Sequence, residues 1–283
     1  MSESVGTAST KGDGCRSAGN FVVIPYLDLS VLPVPFALIA GRVLVALAIV
    51  LGHFLLIARA RRLGLDPTTA SVFSACLVGG GLLLGHWFKF LYWPAVWPSL
   101  AENPIALLNV SFGQASLGGI VGGLLCGWLF LRWKAPAHQR MRYLDALAFV
   151  FPYPWMLGRL HCALVHDHPG IRTSHWLGVR YPDGTRFDLA VVELVFQAAI
   201  AVLFLLLQRR PLPAGSLCAI FLLSYGLFRF LLDALHVDPI RHLGLTVDQW
   251  GAAAALIAGL LLLFPALRAH HVVAATSLQF SER

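Results

Sequence analysis

Five charged side chains sit in stretches of sequence where charge is costly. Arg42, Arg159, Glu193, Arg229 and Asp233 all fall inside or at the ends of long apolar runs. Near the centre of a bilayer one such charge costs roughly 2.5–3.5 kcal/mol on insertion scales, so each requires a partner, a water-filled cavity or a ligand. Arg229 and Asp233 are four residues apart, which places them on one helix face. A structural ion pair would account for those two alone. The chemical alternative is a polar cavity in which Arg159 and Arg229 hold an anionic headgroup, because the planar guanidinium fork matches phosphate oxygens.

Other residue types are more ambiguous. His161, His166, His168 and His175 cluster in the chain. The His-x-His pair with Asp167 has the makings of a metal site, but no second pair at ligand spacing accompanies it, so no metal is expected. A histidine that titrates near neutral pH can also accept a proton, whereas His168 and His175 read as solvated loop residues. Cys15, Cys76, Cys126, Cys162 and Cys218 include no CxxC pair, and four of them lie in apolar stretches as small buried hydrophobes do. The runs Gly118-Gly119-Ile120-Val121-Gly122-Gly123 and Gly79-Gly80-Gly81 suit close helix packing and lack the Lys and Ser/Thr of a phosphate-binding loop.

The elements that must position these groups follow from composition. Of 283 residues, 58% are hydrophobic and 12% charged, with mean hydropathy +0.73. Soluble domains carry about 25% charged residues. Apolar runs such as 198–207 and 252–264 lack the alternation of a membrane barrel, which leaves spanning helices of roughly 20 residues. Seven apolar segments are expected, at about 33–58, 70–94, 112–133, 144–165, 188–208, 214–235 and 246–267. The fold class is therefore an all-α integral membrane protein.

The net charge of +7 is spread over segment ends rather than gathered in one domain, which argues against nucleic-acid binding. Arg59, Arg61, Arg62, Arg132, Lys134, Arg140, Arg142, Arg209, Arg210 and Arg268 follow the odd-numbered segments, against Arg172, Arg180, Arg186 and Arg241 after the even ones. Positive-inside bias then sets the N-terminus out and the C-terminus in. Residues 1–20 read as a disordered polar tail without the apolar core of a signal peptide, and 271–283 as a cytoplasmic tail. The loop at about 166–187 faces outward as a small lobe with a turn at Pro182-Asp183-Gly184. No internal repeat supports a transporter built from duplicated halves.

Gly158-Arg159-Leu160, followed by a polar stretch ending at Gly170, resembles the signature of the phosphatidylglycerol–prolipoprotein diacylglyceryl transferase family. The likeness runs from about Ile24 to Leu267. Ile24-Pro25 and Phe36-Ala37-Leu38 look like the family's lead into its first helix, and Ser116-Leu117-Gly118-Gly119 like its His-Gly-Gly segment. The stretch from Arg186 to Glu193 resembles the arginine-to-glutamate entry into helix five. Tyr225-Gly226-Leu227-Phe228-Arg229 with Asp233 resembles the Tyr-Gly-x-x-Arg element, and Gln249 falls where the last helix begins.

The departures are as specific. Leu117 stands in the family's histidine position, Cys162 in that of the signature asparagine, His161 in that of a glycine, Leu83 in that of a helix-two arginine, and 188–192 reads Asp-Leu-Ala-Val-Val. The resemblance implies transfer of a diacylglyceryl group from phosphatidylglycerol to the cysteine thiol of a lipoprotein precursor in the bacterial inner membrane, with no cofactor. It implies catalytic roles for Arg159 and Arg229, with Glu193 and Asp233 orienting them and His161 as the remaining candidate base. It implies substrate contacts for Gly118, Gly119, Cys162, Tyr225, Gln249 and Arg186. The alternatives are a diverged member with another lipid donor or acceptor, and a non-catalytic lipid-binding protein that kept the anion pocket.

Overall fold

The computed structural model describes residues 24–26, 34–92, 97–105, 114–237 and 240–281; the expected tail at 1–20 lies outside the described residues. Six described helices are long and apolar enough to cross a membrane, within α1 (Val34–Arg62), α2 (Pro67–Tyr92), α4 (Ser116–Lys134), α7 (Leu189–Leu207), α8 (Ser216–Asp233) and α9 (Val247–Ser281). A short α3 (Trp97–Glu102) lies between α2 and α4. Large apolar side chains such as Leu82, Leu206 and Leu261 are exposed on outward faces, as lipid-facing helices require.

The fourth expected segment differs. It is two 14-residue helices, α5 (Ala137–Val150) and α6 (Pro152–Val165). Pro152 has no N–H to continue the ladder and sits at the first turn of α6, so the chain restarts there. Each half is about 21 Å long, short of the roughly 30 Å hydrocarbon core, and neither is among the six described helices long enough to cross it.

Local chemistry fixes the other ends. α1 stops at Gly64, whose φ of +66° only glycine adopts easily; Leu65 N–H bonds Ala60 O at 2.9 Å and Gly64 N–H bonds Arg61 O at 3.0 Å, a Schellman motif. Asp66 then caps α2, accepting from Thr69 N–H at 2.7 Å and Thr68 N–H at 3.2 Å.

The two glycine runs face each other. A Cβ added at Gly118 would lie 2.5 Å from Leu84 O, and one at Gly123 would lie 2.8 Å from Leu77 O, so α2 and α4 touch backbone to backbone. A tightly packed cluster that includes Leu56, Phe73, Leu131, Tyr143, Phe149 and Phe204 fills one end of the bundle. At that end the basic C-terminus of α1 meets the C-terminus of α7, where Arg59 Nη1 donates to Gln208 Oε1 at 3.1 Å.

At the opposite end a sheet stands on the helices, an element the sequence reading did not contain. Its order is β1-β3-β4-β2, from β1 (Ile24–Pro25), β2 (Pro169–Arg172), β3 (Gly178–Tyr181) and β4 (Gly184–Asp188). Tyr181 pairs with Gly184 across the expected turn, and β1 joins β3 in parallel. A second hairpin, β5 (Arg241–His242) and β6 (Leu245–Thr246), leads into α9. α9 continues to Ser281, past the apolar window that ends at Phe264.

Candidate functional site

Three helices converge on one carboxylate. Glu193, in the second turn of α7, is 1% exposed. Its Oε2 lies 2.9 Å from Arg159 Nε on α6 and 3.5 Å from Arg229 Nη1 on α8. Its Oε1 accepts from Trp155 Nε1 at 2.7 Å and Tyr225 Oη at 3.1 Å. Trp155 and Arg159 are one turn apart on α6, as are Tyr225 and Arg229 on α8, so each helix presents an aromatic donor and a cation on one face. Four donors leave this buried charge fully satisfied, which is the condition for its burial.

Arg229 has further partners. Its Nη2 lies 3.1 Å from Asp248 Oδ2 and 3.7 Å from Asp233 Oδ1. Asp248 reaches it because α8 and α9 approach closely at Gly226, where an added Cβ would sit 2.9 Å from Ala252 O. The Arg229–Asp233 contact is therefore the longest of three. Asp233 is held more closely elsewhere: His236 Nδ1 is 3.0 Å from its Oδ1, and Thr246 Oγ1 donates to its Oδ2.

Asp188 starts α7 and so places Glu193. Its Oδ1 accepts from Ala190 N–H at 3.0 Å and Val191 N–H at 3.3 Å, while Tyr181 Oη donates to its Oδ2 at 3.0 Å. The same oxygen lies 2.6 Å from His166 Nδ1.

A cavity of about 430 Å³ opens beside the cluster, between α1, α2, α4, α5 and α6. Its wall is apolar, with Val45, Ile49, Leu77 and Val150, and its polar groups are few: Arg159, Cys162, His53, Ser74 and Ser116. The two arginines share Glu193, yet among the described residues only Arg159 of the pair lines this cavity. His161 is half-buried and is not among the lining residues, whereas His53 is.

The remaining expected site residues lie elsewhere. Gly118 and Gly119 pack α4 onto α2. Gln249 accepts from Thr246 N–H at 3.1 Å and donates its own N–H to Thr246 Oγ1 at 3.0 Å, a capping box that starts α9. Arg186 is out on β4, its guanidinium on Asp183 and on Gly170 O. The Arg186 hydrogen bond holds the Asp183 carboxyl below its ordinary value. Leu117, in the resembled histidine position, packs on Gly251 of α9, and Leu83 points outward at 54% exposed. Trp155, Asp248, His236 and His53 complete the site and were not expected.

Beyond α6 the chain turns back on itself. His168 hydrogen-bonds Asp167 and then Cys162, and those two bonds push its imidazole up to about 9. Burial works against the Asp167 charge, but the His168 hydrogen bond and charge more than offset it, so that carboxyl lies below its ordinary value.

A sequence profile of the prolipoprotein diacylglyceryl transferase family matches residues 42–265. Among curated proteins the chain is 32% identical over 171 residues to a phosphatidylglycerol–prolipoprotein diacylglyceryl transferase of Leifsonia xyli, covering 55% of this chain and 49% of that protein. The like-named protein of Symbiobacterium thermophilum is 25% identical over 72% of this chain and 79% of its own length. That of Pseudoalteromonas translucida is 28% identical over 61% and 62%. The alignment thus spans about half the length of the Leifsonia protein and under two thirds of the Pseudoalteromonas one.

Proposed function

The chain belongs to the prolipoprotein diacylglyceryl transferase family, and from that premise we propose that it transfers a diacylglyceryl group from phosphatidylglycerol to the cysteine thiol of a lipoprotein precursor. One observation carries the proposal: an apolar cavity of about 430 Å³ whose wall includes a single buried guanidinium, that of Arg159. Acyl chains fit its apolar wall, and an anionic phosphate fits its cation.

The reaction is a displacement at carbon. The acceptor thiol gives its proton to the imidazole of His53, and its sulfur attacks the glycerol carbon that bears the phosphate. The S–C bond forms, the C–O bond breaks, and glycerol phosphate leaves with the bonding pair. Negative charge grows on the departing phosphate, where a preorganised cation in a water-poor site is worth most. Arg159 meets that charge. Glu193 fixes Arg159 by its Nε, and Tyr225 and Trp155 fix Glu193. Arg229, locked by three carboxylates, holds Glu193 from behind.

Loop charge supports an arrangement in which the end of the bundle bearing Arg59, Arg61 and Arg62 faces the cytoplasm and the sheet faces out, so that the cluster lies in the outer half of the inner membrane. Expression of the parent in a strain depleted of its own diacylglyceryl transferase tests the proposal. Rescue by the parent but not by Arg159→Ala at equal abundance is expected; absence of rescue by a well-expressed parent refutes it.

A further inference from the structure

A second group of reactive side chains lies where α6 ends. Ligand atoms of Cys162, Asp167 and His168 all lie within 4.8 Å of one another. Sequence spacing alone would not gather them, because Cys162 is on the last turn of α6 and the other two follow it. The gathering is done by His166, a non-glycine residue at φ 52°, which reverses the chain over the helix end. A side chain with a Cβ rarely adopts that conformation, and it persists only where surroundings enforce it. Here they do. His166 is buried with Nδ1 2.6 Å from Asp188 Oδ2, and its ring stacks on Tyr26 at 4.2 Å. An unfavourable turn is thus clamped by Asp188, the N-cap of α7, and by Tyr26, the residue after β1, and its product is the cluster.

We propose that Cys162, Asp167 and His168 form a three-ligand site for a divalent transition-metal ion of the zinc class, with its fourth position open toward the cavity lined by Arg159. One sulfur, one nitrogen and one oxygen with a vacant position is the pattern of catalytic zinc sites, whereas structural sites close with four protein ligands. Sulfur and imidazole donors disfavour magnesium and calcium. Asp167 is exposed and the other two are half-buried, which leaves a path for the ion from outside. Cys162 is itself part of the cavity wall, three residues from Arg159.

The role of the site rests on the transferase reading. An acceptor cysteine bound at the fourth position would give its proton to the imidazole of His53 on the same cavity wall and present a thiolate, since a metal-coordinated thiol is deprotonated. The ion is neither oxidised nor reduced. The sulfur then makes its bond to the glycerol carbon as the carbon–phosphate oxygen bond breaks. This supplies, through the resembled asparagine position now occupied by Cys162, an activation that the resembled histidine position, Leu117, does not.

The test uses the full chain in detergent micelles, stripped with chelator and dialysed against Zn²⁺ or Co²⁺. One ion per chain is expected, and the cobalt form should show a cysteinate-to-cobalt charge-transfer absorption. Cys162→Ser and His168→Ala should each weaken binding by at least about 10–100-fold, the loss seen even when outer partners of a metal ligand are removed. Cys76→Ser should bind as the parent does, and unchanged thermal melting of all variants without metal separates lost ligands from lost fold. No stoichiometric ion, or equal binding by Cys162→Ser, overturns the site. Metal bound without transfer activity sinks the transferase reading and leaves the site standing; full activity of metal-free protein sinks the role in transfer.

Discussion

Replacing Glu193 by glutamine keeps the shape of the side chain and removes the charge on which α6, α7 and α8 meet. At an effective dielectric of about 20 the attraction is ~6 kcal/mol for the Arg159 pair at 2.9 Å and ~5 kcal/mol for the Arg229 pair at 3.5 Å, before desolvation is subtracted. Desolvation offsets much of that, and measured losses on breaking one partner of a buried pair are about 3–5 kcal/mol. The two arginines should not share the loss equally. Arg229 keeps Asp248 at 3.1 Å and Asp233 at 3.7 Å, whereas among the described residues Glu193 is the carboxylate paired with Arg159. We therefore expect Glu193→Gln to destabilise the protein by about 3–5 kcal/mol. In double-mutant cycles the coupling to Arg159→Gln should be about 2–3 kcal/mol, and that to Arg229→Gln about 1 kcal/mol. Unfolding in mixed micelles, followed by tryptophan fluorescence, reads all four corners of each cycle. Equal couplings, or a Glu193→Gln variant as stable as the parent, would refute the reasoning.

Three further outcomes follow from packing and capping. Gly118→Ala should destabilise by about 1–3 kcal/mol, because its Cβ would meet the Leu84 carbonyl at 2.5 Å, while Gly79→Ala, which meets nothing within 4 Å among the described residues, should be neutral or gain up to ~1 kcal/mol; equal thermal shifts for the two would discount the α2–α4 contact. Gln197 is fully buried and, among the described residues, neither of its amide atoms has a hydrogen-bond partner, so Gln197→Leu should raise the melting temperature, by the equivalent of about 1–3 kcal/mol, and a lower one would contradict this. Hydrogen bonds from Thr69, then Thr68, hold Asp66 below its ordinary 3.8, so its contribution is complete above that pH and fades as pH falls through the lower folded value. A parent and an Asp66→Asn variant should accordingly differ in melting temperature at neutral pH and converge in acid.

The ionic cluster was the most legible part of the sequence. Arg159, Glu193, Arg229 and Asp233 advertise themselves because charge in an apolar run demands explanation, and all four meet in the fold. Asp248 did not, since an acidic residue in the first turn of a helix is ordinarily explained by the helix dipole. Trp155 gave no signal because an indole N–H is hidden among apolar neighbours. The break at Pro152 was masked by unbroken hydrophobicity through 144–165, although the proline itself was there to be read. The sheet was hidden for a different reason. Its strands are two to five residues long, too short for an alternating pattern, and only the Pro182-Asp183 turn between β3 and β4 showed. Gln249 is the instructive case: the Thr-x-x-Gln spacing from Thr246 is a helix-start signal, and the side chain closes a cap rather than facing the cavity.

The central claim is that Arg159 holds the phosphate of an anionic lipid while a thiol attacks its glycerol carbon. Purified protein in phosphatidylglycerol vesicles, given a cysteine-containing lipoprotein-precursor peptide, should yield peptide heavier by one diacylglyceryl group, with one free glycerol phosphate released per transfer. Phosphatidylcholine vesicles and the Arg159→Ala variant should yield neither above background. Transfer by Arg159→Ala at the parent's rate, or retention of phosphatidylglycerol by the parent with no glycerol phosphate released, would contradict it.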